Sequence, residues 1–116
     1  MTELVKTIID AIQEKKGERI VVADLTRIEG SISSYFIICQ GNSPMQVEAI
    51  CDSVSEFVRM KSGEKPVKVV GLTNAQWVAM DYTDVMVHIF LPDTRQYYNL
   101  EALWEDAHLT RIPDLD

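Results

Sequence analysis

Two short apolar segments with only two residues between them constrain the fold more than any other feature of the sequence. The segments cover residues 75–81 and 84–90 and are rich in β-branched and aromatic side chains, the composition of β-strands. Tyr82 and Thr83 separate them, a connection too short for a crossover between parallel strands. The two strands should therefore form an antiparallel hairpin.

The rest of the chain alternates between helical and strand patterns. Apolar residues recur at helical spacing after Thr2, which is expected to cap a first helix, and again after Ser43-Pro44-Met45-Gln46. Ser43 is expected to cap this second helix, with Pro44 at its first position and Gln46 closing a capping box. Gly63 is a candidate left-handed cap at the end of this second helix. Further strands are predicted at residues 19–25, 34–39 and 66–71, and a short terminal helix around residues 99–104.

This order of elements predicts an α/β (α+β) fold, with a mixed sheet of about five strands flanked by helices. The length of 116 residues suits one domain. We assign that domain to residues 1–107 and expect residues 108–116 to fray as an acidic C-terminal tail.

The charge balance excludes several classes of partner. The formal net charge is −7, and no run of Lys and Arg is dense enough to predict contact with a phosphate backbone. An acidic protein of this kind suits a basic partner, which it can find by electrostatic steering.

No apolar run approaches the roughly 18–20 residues that span a bilayer. An early acidic residue, with no apolar signal core after it, argues against a secretory leader, so we expect a cytoplasmic protein.

The cysteines and histidines do not predict a metal or cofactor site. Cys39 and Cys51 each lie in an apolar stretch and are expected to be buried and reduced, with a disulfide as the alternative. Two cysteines and two histidines at scattered spacing form no zinc pattern. His88 lies between two apolar strand residues. It is expected to be a core or half-buried histidine with its hydrogen bonds satisfied, since a general base would need a nucleophile or acid partner that the sequence does not show.

A carboxylate cluster for a divalent cation is the strongest catalytic hypothesis. Asp81 and Asp84 flank the hairpin turn and Asp24 ends another strand, and such groups can hold a cation for phosphoryl transfer. However, the only D-x-D pair lies in the tail at residues 114–116, and no phosphate-binding glycine motif is present. Turn residues that satisfy local backbone groups, or a surface for a partner, are therefore favoured over catalysis.

The hairpin combines an aromatic residue with an acid on one strand face. Strand alternation places Trp77 and Asp81 on the same face and Tyr82 on the opposite one, and Tyr97 and Tyr98 follow nearby in sequence. Trp and Tyr commonly anchor protein interfaces, although core packing of Trp77 stays open as an alternative. Aromatic residues beside acids, without basic residues, favour a protein partner over RNA.

Three regions together resemble the RsfS/Iojap family of ribosomal silencing factors. Residues 34–52 are similar to the first half of that family, Gly71 and residues 77–90 to its signature hairpin, and residues 95–104 to its closing segment. The resemblance covers nearly the whole chain, from about residue 4 to 107. The sequence departs from the family pattern at four polar positions near the edge of its nucleotidyltransferase-like fold, namely Ser34, Gln46, Val70 and Asn99.

The resemblance implies a function as well as a fold. It implies a nucleotidyltransferase-like sheet without the catalytic carboxylates, and a non-enzymatic protein that needs no cofactor. It also implies binding to the large ribosomal subunit through its protein numbered fourteen, which blocks joining of the small subunit and represses translation under nutrient limitation. The family's contact surface, carried over to this sequence, comprises Trp77, Asp81, Tyr82, Asp84 and Tyr98.

Two alternatives remain at this point. One is a nucleotide-binding or nucleotidyltransferase-type enzyme. The other is a small homodimeric scaffold, and a silencing factor could itself form a homodimer when free. Neither a direct preference for a nucleic-acid sequence nor a membrane partner is expected.

Overall fold

Two capped helices cover one face of a β-sheet. The computed structural model describes residues 2–31, 33–103 and 107–115. Helix α1 spans Glu3–Glu14 and helix α2 spans Pro44–Ser62. Thr2 Oγ1 accepts a hydrogen bond from the Val5 N–H at 3.2 Å, and Gly63 ends α2 in the left-handed conformation with a φ of 75°. These two predicted caps are confirmed, because they depend on chemistry within one helical turn.

The capping of α2 differs from the prediction in one detail. Ser43 Oγ accepts from the Gln46 N–H at 3.1 Å, as expected. The Gln46 side chain, however, accepts from the Asn42 N–H at 2.7 Å rather than closing the box on Ser43. Its amide nitrogen donates to the carbonyl oxygens of Lys15 and Lys16 at 3.1 and 3.2 Å. Gln46 therefore also ties the start of α2 to the turn that follows α1.

The sheet contains six strands within the described ranges, one more than predicted. They are β1 (Glu18–Asp24), β2 (Tyr35–Gln40), β3 (Lys68–Val70), β4 (Trp77–Asp81), β5 (Val85–Phe90) and β6 (His108–Ile112). Their order in the sheet is β3-β4-β5-β2-β1-β6. Strands β2 and β5 are parallel and the other neighbouring pairs are antiparallel. The sheet is mixed, as predicted.

Strand β6 overturns the prediction that residues 108–116 fray. His108–Ile112 pairs with β1 along its whole length, from Ile20 opposite Ile112 to Asp24 opposite His108. The Arg19 N–H also donates to Asp114 Oδ1 at 2.7 Å, just beyond the strand. The prediction failed because the free edge of β1 supplies unpaired backbone groups that order the tail. These groups come from a strand far away in sequence.

The core between the helices and the sheet contains both cysteines. Cys39 and Cys51 are buried and free, as predicted for reduced core thiols. Burial raises the pKa of Cys39 to about 12 and that of Cys51 to about 11, so both thiols stay protonated and unreactive at neutral pH. Ser53 Oγ donates to the Ala11 carbonyl at 2.8 Å and joins the two helices.

Two short helices connect β5 to β6. Helix α3 spans Pro92–Tyr98 and follows β5 almost directly, and helix α4 spans Leu100–Leu103. The helix predicted around residues 99–104 corresponds to α4, although residue 104 of that prediction lies outside the described residues. Helix α3 was not predicted. Among the helices that the structure describes, none combines the length and hydropathy needed to cross a membrane.

Candidate partner-binding surface

Strand β4 alternates between the core and the opposite face of the sheet, as predicted. Val78 and Met80 are completely buried, whereas Trp77, Ala79 and Asp81 are partly exposed. The alternation follows from the two-residue period of a strand. It brings Trp77 and Asp81 to the face of the sheet that α1 and α2 do not cover.

Three aromatic rings of the described residues pack against Trp77. Its ring lies 4.7 Å from that of Tyr98, 5.1 Å from that of Phe90 and 5.8 Å from that of His88, measured between centroids. Its indole N–H donates to His88 Nδ1 at 3.0 Å. Trp77 thus has the two properties of an interface anchor, a fixed orientation and a partly exposed ring.

His88 fixes the orientation of Trp77. It is 4% exposed, and burial lowers the pKa of His88 from its ordinary value of 6.5 to about 4. The imidazole is therefore neutral at pH 7, and because Nδ1 accepts from Trp77, its proton lies on Nε2. Nε2 has no hydrogen-bond partner among the described residues. The predicted burial of His88 is confirmed, but among the described residues its hydrogen bonding is satisfied only at Nδ1, which accepts from Trp77.

Tyr98 and Val70 add further exposed area to this surface. Tyr98 ends α3 and is 48% exposed, and Val70 of β3 is 46% exposed. Val70 lies opposite Ala79 in the register of β3 and β4, so both side chains share a face. We refer to Val70, Trp77, Ala79, Asp81 and Tyr98 as the hairpin face. It is a partly exposed apolar surface with an acid at one end.

The two acids of the hairpin differ in what they contact. Asp81 Oδ1 accepts from the Thr83 N–H at 2.7 Å and stabilises the turn, where Thr83 has a φ of 74°. Asp84 is exposed, and its carboxylate forms no hydrogen bond or ion pair with another described residue; the bonds to Ser34 and Tyr35 use its backbone carbonyl. Asp84 is thus the more available charge for a partner.

The structure does not bring Tyr82 to this surface. Tyr82 is 5% exposed and packs in the core between the sheet and the helices. Its hydroxyl has no partner among the described residues, and burial raises the pKa of Tyr82 to about 12. Its assignment as a contact residue is therefore corrected. The strand alternation in the sequence already placed Tyr82 opposite Trp77, because the alternation of β4 continues one residue into the turn.

The residues considered for metal binding are not brought together. Within residues 2–31, 33–103 and 107–115, no three His, Cys, Asp or Glu side chains are close enough to share an ion. Asp24 Oδ1 accepts from the N–H and the hydroxyl of Thr26 at 2.9 and 2.6 Å, and these bonds lower the pKa of Asp24. Asp24 and Asp81 thus act as turn residues, the interpretation favoured over a cation site.

Arg95 is a structural feature that the sequence analysis missed. It lies in α3, is 9% exposed and lines a polar cleft of about 800 Å³ between β1, α3 and β6. Its Nε forms an ion pair with Glu101 at 2.8 Å. A lone arginine in a polar segment has no sequence signal that distinguishes it from a solvated one, because its burial depends on distant strands.

Comparisons with known proteins point to one family. The family model described as "Ribosomal silencing factor during starvation" matches residues 1–116. A ribosomal silencing factor of Halalkalibacterium halodurans is 40% identical over 105 residues, which are 90% of this chain and 88% of that protein. One from Bacillus subtilis is 40% identical over 113 residues, covering 97% and 92%. A crystal structure of a Chromobacterium violaceum protein has a TM-score of 0.83 at 35% identity and covers 89% of this chain and 84% of its own.

Proposed function

This chain belongs to the RsfS family of ribosomal silencing factors, and from that premise we propose that it is a ribosome-associated regulator that represses translation. It acts by binding, not by catalysis. We propose further that it binds the large ribosomal subunit through the protein numbered fourteen and blocks joining of the small subunit. This regulation would operate in the cytoplasm when nutrients are limiting.

The observation that carries this proposal is the hairpin face. Trp77 is held in one orientation by His88 and Tyr98, yet it stays partly exposed. An aromatic ring that is already fixed loses little conformational freedom on binding. Trp and Tyr are among the residues that most often dominate the binding energy of protein interfaces.

The charge of the chain supports a basic partner. Asp84 presents an exposed carboxylate beside the hairpin face, and the whole chain carries a net charge of −7. Charged groups at the rim of an interface speed association and select the partner by complementarity. Ribosomal proteins are generally basic, because they bind RNA phosphates.

The nucleotidyltransferase alternative has less support. It requires carboxylates that are free to hold a cation, but Asp24 and Asp81 already accept hydrogen bonds from their own turns. A thermal-shift measurement with nucleoside triphosphates and magnesium tests it directly. Binding would raise the melting temperature with ligand concentration, and such a rise would favour this alternative.

Co-sedimentation with purified ribosomal particles tests the proposed function. The protein should sediment with free large subunits and not with assembled ribosomes. Trp77→Ala should weaken subunit binding by a factor of about 30 or more, because truncating an aromatic anchor costs roughly 2–4 kcal/mol. Met60→Ala is a matched control: Met60 is 74% exposed, but it lies on α2, away from the hairpin face, and should leave binding unchanged.

The folded state must be measured beside binding. Trp77 also packs on Phe90 and His88, so Trp77→Ala lowers stability as well. Circular dichroism melts give the folded fraction at the assay temperature. Equal recovery with subunits and whole ribosomes, or a binding loss that merely follows the unfolded fraction, would count against the proposal.

A further inference from the structure

We propose that Arg95 is a positioning residue for partner binding, because its buried guanidinium holds α3 where Tyr98 packs against Trp77. This inference rests on the proposed function and assigns a further residue to the same surface. The Arg95 side chain is 10% exposed. A buried guanidinium requires partners for its charge and its donors, and those partners show what Arg95 holds together.

The guanidinium contacts three segments, two of which are distant from it in sequence. Nε donates to Glu101 Oε1 in α4 at 2.8 Å. Nη1 donates to the Arg19 carbonyl oxygen in β1 at 2.7 Å and to Gln40 Oε1, at the end of β2, at 3.3 Å. The last two contacts span 76 and 55 residues of sequence. The fork of donors on a planar guanidinium suits such divergent acceptors, which a lysine ammonium cannot reach together.

Two backbone irregularities create these acceptors. β1 has an irregular register with β2 between Glu18 and Val21, where Arg19 has a φ of 49°. A bulge of this kind re-aims the groups of its strand, and the carbonyl of Arg19 accepts from Arg95 at this point. A non-glycine residue at positive φ is strained and is retained only where surrounding contacts hold it.

The second irregularity is at Asn99, which ends α3 with a φ of 46°. In an unbroken α-helix, residues 95 and 101 would lie about 9 Å apart along the axis and roughly 120° apart around it. The left-handed residue breaks the helix, and the Asn99 N–H bonds to the Arg95 carbonyl at 2.8 Å. The chain then folds back far enough for Glu101 to reach Arg95.

Helix α3 needs such a tertiary restraint. It has only 7 residues, and its N-cap, Leu91, makes no side-chain cap bond. A helix this short is unstable without tertiary contacts. Arg95 lies three residues before Tyr98, so both side chains project from the same side of the helix. Fixing Arg95 therefore fixes the direction in which Tyr98 points, and Tyr98 lies 4.7 Å from Trp77.

The first test is Arg95→Met, which keeps an apolar stem and removes the guanidinium. We expect about tenfold weaker binding to purified large subunits, and loss of the nuclear Overhauser contacts between the Trp77 and Tyr98 rings. Arg95→Lys should retain only part of the subunit binding and only part of the Trp77–Tyr98 ring contacts. Arg111→Met is the matched control, because Arg111 lines the same cleft but is exposed on β6, and it should change neither.

A double-mutant cycle with Tyr98→Ala separates positioning from general destabilisation. If Arg95 acts through Tyr98, Arg95→Met should weaken binding by less than about twofold once Tyr98 is removed, because coupled residues are non-additive. An equal loss in both backgrounds would overturn the proposal. If Arg95→Met does not fold, Glu101→Gln is the milder variant. It removes the charge that pairs with Nε. It should weaken subunit binding less than Arg95→Met does, and this smaller loss should also disappear once Tyr98 is removed.

The ring contacts distinguish failure of this inference from failure of the proposed function. If Tyr98→Ala binds large subunits like the wild type, the proposed surface is wrong. In that case, loss of the Trp77–Tyr98 contacts in Arg95→Met, but not in Arg111→Met, still supports the positioning of Tyr98. Persistence of those contacts in folded Arg95→Met would overturn it.

Discussion

Acid should destabilise this protein through His88. The folded state holds His88 neutral, with its pKa lowered to about 4, whereas the unfolded chain takes up a proton near the ordinary value of 6.5. The unfolded state therefore binds more protons below about pH 6.5. The stability from neutral His88 is complete above that pH and is lost as the pH falls toward 4. The total loss is about 3 kcal/mol, of which about 2 kcal/mol is lost between pH 7 and 5.

The assay is urea unfolding at pH 7, 6, 5.5 and 5, comparing the wild type with His88→Phe. At pH 7 the variant should be less stable by about 1–3 kcal/mol, because the Trp77 N–H loses its acceptor. Its free energy of unfolding should then fall about 2 kcal/mol less than that of the wild type on going to pH 5. The rings packed around His88, those of Phe36, Trp77 and Phe90, do not titrate and cannot produce this difference.

His108→Phe is the control for removal of a histidine. His108 is exposed at the start of β6, and this variant should keep the pH dependence of the wild type. Parallel curves for wild type and His88→Phe would refute the reasoning, because they would mean that the folded protein does not exclude the proton from His88. A variant whose stability falls more than that of the wild type between pH 7 and 5 would also refute the reasoning.

Three further predictions concern the hairpin and the helices. Gly71→Ala should lower the melting temperature, since Gly71 has a φ of 95° and an added Cβ would meet the Trp77 carbonyl oxygen at 2.0 Å. A variant that melts at the wild-type temperature would contradict this expected strain. Ser43→Ala should lower the free energy of unfolding in urea by about 1 kcal/mol, because it removes the α2 cap. Ser43→Asp should retain most of the wild-type stability, because Asp can also cap the helix. Asp84→Asn should slow association with large subunits at low salt, and this effect should shrink as salt screens the charge; a salt-independent loss would argue against a rim contact.

The sequence determined the elements whose causes are local. The hairpin follows from two strand patterns with almost nothing between them, and the alternation along β4 placed Trp77 and Asp81 on one face. The helices begin and end at Thr2, Ser43 and Gly63 because capping depends on residues within one turn. These features required no knowledge of distant contacts, and the structure contains them as predicted.

Only the tertiary structure decided the features that depend on partners far along the chain. Residues 108–112 have a weak strand pattern and become β6 because β1 offers them a free edge. Trp77 is neither simply core nor simply surface, since His88 and Tyr98 fix a ring that stays partly exposed. Arg95 is buried because acceptors 76 and 55 residues away converge on it. Local sequence patterns cannot predict such long-range contacts. Backbone groups that one segment leaves unpaired are satisfied by another segment only once the sheet has formed.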